Sequence, residues 1–449
     1  MRRLLISSLV LAAASWISAC SSDPTGTGGA GGSGGAGGSG GAACPAPNTA
    51  PGTKIAHVIL VVQENHTFDN HFGKYCTAPT GSNPSCNEGP ACCEAAPAKE
   101  PSGASPVLLD DDTNGGWDPP HSQVCELAEM NGGKMDRYVT GADGCSDPGN
   151  FAVAGDAVKI YHDYAAKYAM ADRNFQPLVG ASSANDMYFA VAKFVFNDNA
   201  LKPDALGADC DIAPTKKVFE GQTVFDVLTA AGKTVRVYGE GYDRVKAAGD
   251  GSCPPARKEC AANLPTYPCI YEPSDIPFLY YSQYNKSESL VHDYAELARD
   301  LTEGTLPNVS FVKLLGYNTE HPGYATKLTA GPEMVDVLVK QVAASCYAED
   351  TLVLIAWDEG GGYFDHVTPP PDSPVDNQPY GTRVPLLAIG RFARKNFVSH
   401  VEMEHSSIVK FLEFNFTGAT GQLAARDAVV NNIGSLLDEK ETGIIIPDN

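Results

Sequence analysis

The chain reads as an α/β protein, an α/β/α sandwich in which helices cover both faces of a mostly parallel sheet. Three observations carry that expectation. Apolar, β-branched runs of strand length recur far apart, above all at residues 55–62 (IAHVILVV) and 352–355 (LVLI). Helix-period segments lie between such runs, as at residues 331–345, where Met334, Val335, Leu338, Val339 and Val342 share one face. The two kinds of segment alternate along the chain, the pattern of strands that pair in parallel through helical crossovers. No internal repeat occurs, and no glycine pattern suits a P-loop or a dinucleotide site.

Residues 1–20 read as an export signal. Met1-Arg2-Arg3 is the positive start, residues 4–14 the apolar core, and Ile17-Ser18-Ala19-Cys20 a small-residue cleavage site. A cysteine directly after that site resembles the bacterial lipoprotein signal. It places a lipid on Cys20 and the protein at the cell envelope, on the outer membrane or the periplasmic face. No other stretch is apolar and long enough to span a bilayer. Residues 21–53, largely glycine with Ala, Ser and Thr, read as a flexible tether that would hold the domain about 30 Å from the membrane. Residues 54–437 are expected to form the folded domain and 438–449 a C-terminal tail.

Within the domain, the strand at 55–62 ends on Gln63, Glu64, Asn65 and His66. Residues 74–150 are rich in Gly, Pro, Asp and Cys and read as a long excursion containing Pro120-His121 and the run at 131–136. Residues 157–170 carry Ile160, Tyr161, Tyr164 and Tyr168 at helical spacing. Small residues, Gly180-Ala181-Ser182-Ser183-Ala184-Asn185, precede a helix expected over 186–196. A serine there either lies where backbone N–H groups and the helix dipole favour an anion, or simply caps the helix. Strands are expected at 234–238 and 308–314, around a second Cys/Pro-rich insertion (243–275) and a helix at 290–301. The loop Thr319-Glu320-His321-Pro322-Gly323 follows. The helix at 331–345 feeds the strand that opens residues 351–371; a strand at 384–389 and a helix at 404–416 close the domain.

The totals bound the chemistry. A formal charge of −22 argues against nucleic acid and anionic membrane surfaces as partners. A small anionic substrate stays open, because a local cation reverses the field inside one cleft. Setting aside Cys20 leaves twelve of the 13 cysteines. An even number in an exported chain points to disulfides; no paired C-x-x-C pattern supports a zinc knot.

The strand opening residues 351–371 stops on Asp358 and Glu359, followed by three glycines. Adjacent acids at the end of a buried strand are costly unless a cation or hydrogen bonds satisfy them. In an open α/β sheet that end is also where ligands bind. The strand at 55–62 delivers Glu64 and Asn65 to the same edge if the two are parallel. Glu64, Asn65, Asp358 and Glu359 are therefore expected to converge on one hard, oxygen-preferring divalent metal ion.

These residues resemble a known family. VVQENHTFDNHFG (residues 61–73), WDEGGGYFDHVTPP (357–370) and GTRVPLLAIG (381–390) are similar to three signatures of the phosphoesterases that include phosphatidylcholine-type (non-specific) phospholipases C and a respiratory-burst-inhibiting acid phosphatase. The NGGKMDRYV run and Glu320-His321-Pro322 also fit, in the family's order, from about residue 54 to 416. The resemblance implies an alkaline-phosphatase-like fold. It implies Glu64, Asn65, Asp358 and Glu359 as metal ligands, His121 and His321 lining the phosphate pocket, Ser182 as nucleophile and Asn185 as a phosphate contact. Two positions depart from the pattern: Asp186 replaces the usual Arg of a Pro-Asn-Arg triplet, and His66 stands where Arg is usual. Ser183 competes with Ser182 for the nucleophile's place.

The function expected is metal-dependent hydrolysis of phosphate esters through a phosphoserine intermediate, of the acid-phosphatase kind. The alternatives are a phospholipase C acting on glycerophospholipids and, from another class, an inactive surface-binding lipoprotein on the same fold. Retention of every expected ligand and of a nucleophile argues against the last.

Overall fold

The computed structural model describes residues 52–249, 251–255 and 267–448. The export signal and Cys20 lie outside the described residues, as does the tether apart from its last two residues. Those two already belong to the packed domain: Gly52 N donates to Asn415 O (3.0 Å), and Thr53 is buried.

Eight of the described strands form one sheet. In chain order they are β1 (His57–Gln63), β2 (Ala169–Ala171), β3 (Val235–Gly239), β4 (Val291–Asp293), β5 (Val309–Lys313), β6 (Thr351–Trp357), β7 (Leu386–Ile389) and β8 (Phe397–Ser399). Their spatial order is β8-β2-β7-β6-β1-β5-β3-β4. Every neighbouring pair is parallel except that β7 runs against both β6 and β2. β1 and β6 pair side by side in parallel, so their carboxyl ends share one edge as expected.

Alternation along the central strands divides the interior in two. Val58, Leu60 and Val62 of β1, Val309 and Phe311 of β5, and Leu352, Leu354 and Ala356 of β6 face one core. That core also holds residues of helices α1 (Ser182–Val191) and α2 (His405–Thr417). Ile59, Val61, Val312, Val353, Ile355 and Trp357 face the opposite core, with Tyr161 and Ala165 of the helix Lys159–Lys167 and Val335, Leu338 and Val339 of the helix Ala330–Ala344. Strands buried on both faces read as unbroken apolar runs, the reason 55–62 and 352–355 were legible.

Three elements differ from expectation. Helix α1 starts at Ser182, four residues early, and ends at Val191 in a left-handed Ala192. The helix expected over 157–170 stops at Lys167, and Met170 lies in β2. The helix expected at 290–301 is a short strand, β4, then a helix Tyr294–Glu303 capped by Asp293. An apolar run as short as residues 168–171 (YAMA) or the pair Leu290-Val291 fits both periods, so periodicity alone does not separate strand from helix there. The C-terminal tail packs on the domain: Glu439–Thr442 forms a helical turn, Lys54 N donates to Thr442 O (3.1 Å), and Ile446 is buried.

The cysteine-rich excursions are stapled as expected. Cys76–Cys93, Cys86–Cys92, Cys125–Cys145 and Cys210–Cys253 are disulfides, and Cys269 and Cys346 are disulfide-bonded too. Among the described residues, no helix is long and apolar enough to cross a membrane.

Candidate active site

Register decides what the central strands present. Val62 of β1 lies opposite Lys313 of β5 on one side and Ala356 of β6 on the other. Two residues further on, Glu64 and Asp358 emerge on the face that Val62 and Ala356 occupy. All three side chains therefore aim at the α1 face of the sheet. Both chains turn sharply there. Asn65 takes a left-handed backbone (φ 63°), and a Cβ on Gly361 (φ 66°) would fall on the Asn65 carbonyl. That close approach is what the glycine run permits.

Asn65 is the hub. Its backbone N–H donates to Asp358 Oδ1 (3.2 Å), and its Oδ1 accepts from Ser182 Oγ (3.2 Å). Its Nδ2 donates to His321 Nε2 (3.1 Å), whose other nitrogen, Nδ1, donates to Pro322 O (2.7 Å). The carbonyl partner fixes the His321 tautomer, and burial holds its pKa below the usual histidine value. An ordered chain of donors thus runs from Ser182 through Asn65 to His321. His121 faces the same space, its Nδ1 donating to Pro119 O (2.7 Å) and its Nε2 lying 3.8 Å from Glu359 Oε1. The two rings are 6.2 Å apart.

Ser182 is the first residue of α1. The cap position belongs to Ala181, so the serine is not spent on capping. Ser183 turns away and donates to Asp275 Oδ1 (3.3 Å). Asn185 does not reach the pocket. Its Oδ1 accepts from Leu178 N (3.0 Å), and its Nδ2 donates to Gly180 O (2.7 Å) and Ala181 O (3.2 Å). The side chain expected to contact phosphate instead ties down the loop that presents Ser182, because its amide is fully used on backbone.

The four expected metal ligands gather at this edge without closing on one point. Glu64 turns Oε1 to Lys313 Nζ (2.7 Å, an ion pair without hydrogen-bond alignment), and Tyr267 OH donates to its Oε2 (2.7 Å). Burial pushes the Glu64 pKa up, but Lys313 and His321 outweigh it and hold it at about 2. Asp358 accepts from Asn65 N and from Glu359 N (2.7 Å) through Oδ1; burial raises its pKa to about 6. Glu359 accepts from Gly361 N through Oε2, and burial and the nearby Glu126 push its pKa well up. Asp358 Oδ2, Glu359 Oε1 and both oxygens of Asp186 have no hydrogen-bond partner among the described residues. Buried carboxylate oxygens left in that state, beside an amide and a hydroxyl, are a donor set suited to a hard divalent cation.

Lys313, Tyr267 and Asp275 went unread in the sequence. Lys313 is buried at the end of an otherwise apolar strand, within 3.6–3.9 Å of Asp186, Asp275 and Asp358 as well as on Glu64. Burial disfavours its charge, but these carboxylates keep it an ammonium. A lone lysine inside the run VSFVKLL was the available signal, since an unpaired charge is rarely buried.

Three other groupings of possible ligands occur among the described residues. Asp118 with His121 and His321 lines the mouth of the site. In the second, the carboxylates of Asp69 and Asp365 are paired with Arg383, whose Nε meets Asp365 Oδ1 (2.8 Å) and whose Nη2 meets Asp69 Oδ1 (3.0 Å), and His366 Nδ1 lies 2.8 Å from Asp69 Oδ2. Glu320 accepts from His71 Nε2 (3.1 Å) and Trp357 Nε1 (2.7 Å) beside His66, behind the site. An open groove of about 680 Å³ leads outward between His121 and the turn of Asn197, Asp198 and Asn199. Another cavity, about 560 Å³, lies among Lys216, Tyr242 and Lys286; it holds none of the groups above, and those lysines pair with Asp209 (2.9 Å) and Asp204 (3.0 Å).

The sequence profile of the Phosphoesterase family matches residues 55–417. The chain is similar to phospholipase C B of Mycobacterium tuberculosis, 25% identical over 443 residues that cover 85% of this chain and 77% of that one. It is similar to a non-hemolytic phospholipase C of Burkholderia pseudomallei, 23% identical over 425 residues, 83% of this chain and 57% of that one. A solved protein of the alkaline phosphatase superfamily from Vibrio parahaemolyticus superposes on 74% of this chain and 73% of its own, with 10% identity and a TM-score of 0.34.

Proposed function

This chain belongs to the phosphoesterase family and is a phosphoric ester hydrolase, and on that premise we propose that it cleaves phosphate monoesters at Ser182 through a phosphoserine intermediate. The carrying observation is the bond from Ser182 Oγ to Asn65 Oδ1, because Asn65 also joins Asp358 and His321. Strand pairing brings residues 65 and 358 together, and residues 182 and 321 reach them from separate segments through the Asn65 side chain.

Glu64, Asn65, Asp358 and Glu359 would hold a divalent ion. When bound, it would withdraw charge from the phosphoryl group and lower the pKa of the serine hydroxyl. The chain's own groups do the rest. Asn65 orients Ser182 Oγ for in-line attack, the hydroxyl proton leaving to solvent, and the ester oxygen departs toward His121, whose ring, carrying a proton on Nε2 as well as the Nδ1 proton bound to Pro119 O, gives it the Nε2 proton; such help is typically worth ~100-fold or more. Neutral His321 holds the Asn65 amide so that its oxygen stays on the serine. Attack on the serine's phosphate by water ends the cycle, one hard displacement having become two easier ones.

The groove supports a hydrophilic leaving group. Its walls carry Asp118, Asn197, Asp198 and Asn199, which can hydrogen-bond such a group, beside the apolar Pro119, Pro120, Ala181 and Ala200. A second reading, phospholipase C acting on glycerophospholipids, is favoured by the relatives' activities and uses the same centre. At the N-terminus, the sequence supports export and a lipid anchor on Cys20; replacing Cys20 should move the protein from the membrane fraction to the soluble one.

The test compares Ser182→Ala and Ser183→Ala on a chromogenic phosphate monoester and a phosphocholine ester, after divalent metals are stripped and restored. Ser182→Ala should lose turnover and the trapped phosphoserine while keeping its fold. A dead Ser183→Ala with an active Ser182→Ala would overturn the assignment. Faster cleavage of the phosphocholine ester would favour the second reading.

A further inference from the structure

The site has two layers. The upper layer holds Asn65, Ser182, His121, His321 and Glu359. One rung deeper in the sheet lies Lys313, and one helical turn deeper on α1 lies Asp186, four residues past Ser182 and on the same side of the helix. Asp275 completes the deep layer from the short helical turn Pro273–Asp275. Glu64 and Asp358 stand between the layers. Four carboxylates from four separate segments surround one ammonium: Glu64 at 2.7 Å, Asp275 at 3.6 Å, Asp186 at 3.7 Å and Asp358 at 3.9 Å.

That arrangement is a cation site whose cation is covalently part of the chain. Oxygens converging from four directions on one buried positive charge are what a hard metal ion recruits, but 2.7–3.9 Å suits an ammonium and exceeds the 2.3–2.6 Å usual for calcium. Asp186 deepens the case. Both its oxygens lack hydrogen-bond partners among the described residues, and it replaces an arginine expected from the family resemblance. With an acid at that place, the deep layer needs a positive charge from elsewhere, and Lys313 supplies it.

We propose that Lys313 is a positioning residue that stands in for a second metal ion: its ammonium draws the inner oxygens of Glu64 and Asp358 down and occupies the place between Asp186 and Asp275, so the protein binds one divalent ion per chain. Removing the ammonium turns the deep layer into a second divalent site. The inference rests on the metal-binding half of the proposed function and not on hydrolysis. A protein that binds one ion but cleaves no ester would sink the hydrolase reading and leave this one standing.

The experiment counts Mn²⁺ retained per chain after equilibrium dialysis of the full chain, with circular dichroism as a check of fold. The wild type should hold one ion, Lys313→Met two, and Lys313→Arg one. Adding Asp186→Asn to Lys313→Met should return the count to one, which separates the deep layer from ions held on the acidic surface. Lys313→Met that folds only with Mn²⁺ and then holds two also supports the proposal. Two ions on the wild type or on Lys313→Arg, one on folded Lys313→Met, two on the double variant, or Lys313→Met left unfolded in saturating Mn²⁺ would each overturn it.

Discussion

Replacing Asn65 by Ala and by Gly separates the two things that residue does. Both substitutions delete the amide that joins Ser182 to His321, so both lose the same two hydrogen bonds, each contributing about 1 kcal/mol to stability. The backbone cost differs. At φ 63° an alanine meets its own carbonyl, a strain of roughly 1–2 kcal/mol, whereas glycine is free of it. Glycine gives back roughly 0.4–1 kcal/mol through the greater freedom of its unfolded chain. The net expectation is that Asn65→Gly is more stable than Asn65→Ala by about 1 kcal/mol, read from urea unfolding. Turnover should fall alike in both, by about 100-fold, since the loss is one of nucleophile placement. Initial rates at saturating monoester and divalent metal measure it. Equal stabilities would refute the strain argument. Near wild-type turnover in either variant would refute the role of Asn65 as hub.

Other expectations follow from single contacts. Arg383→Lys should cost about 3–5 kcal/mol despite keeping the charge, because one ammonium cannot satisfy both Asp69 and Asp365 in a fully buried network; urea unfolding measures it. His366 sits between Asp69 (2.8 Å) and Glu94 (3.0 Å); burial lowers its pKa, but the Asp69 carboxylate and hydrogen bond more than offset this and raise it. A raised folded pKa means the stabilisation is complete below the unfolded value near 6.5 and is lost as pH climbs through the folded one. Protease nicking of the loop carrying Glu94 should therefore rise above that pH, and His366→Gln should make it independent of pH. Tyr267→Phe removes the hydroxyl that orients Glu64 and should weaken divalent-metal affinity by about 10- to 100-fold, seen in a Mn²⁺ titration of activity, with the fold unchanged.

The strand ends were legible because burial on both faces leaves an unbroken apolar run whose termination is conspicuous. Glu64, Asn65, Asp358 and Glu359 could be named, and a parallel sheet places such ends on one edge. What the run does not contain is rung height. Only the pairing of Val62 with Lys313 and Ala356 shows that the lysine lies one step beneath the acids and on their side. Asp275 and Tyr267 come from a Cys/Pro-rich stretch with no period, where no pattern ties a residue to a place in the fold. Asn185 misled for a different reason. A motif position gives a residue type and spacing, but whether an asparagine faces ligand or backbone depends on the loop, and here Leu178, Gly180 and Ala181 claim its amide.

The same register explains how so much negative charge is tolerated at the sheet edge. Glu64 and Asp358 come from adjacent strands, and two carboxylates on one face of one rung repel unless something between or beneath them is positive. Lys313 comes from the strand on the other side of β1, at the rung below, and is held against α1 by the packing of Val309 and Phe311 in the same core. A slip of one residue in β5 would send its side chain to the opposite core and replace it here with Val312 or Leu314. The apolar packing of the strand therefore does more than stabilise the sheet. It fixes the height at which the ammonium sits, and with it the direction in which Glu64 Oε1 and Asp358 Oδ2 are drawn.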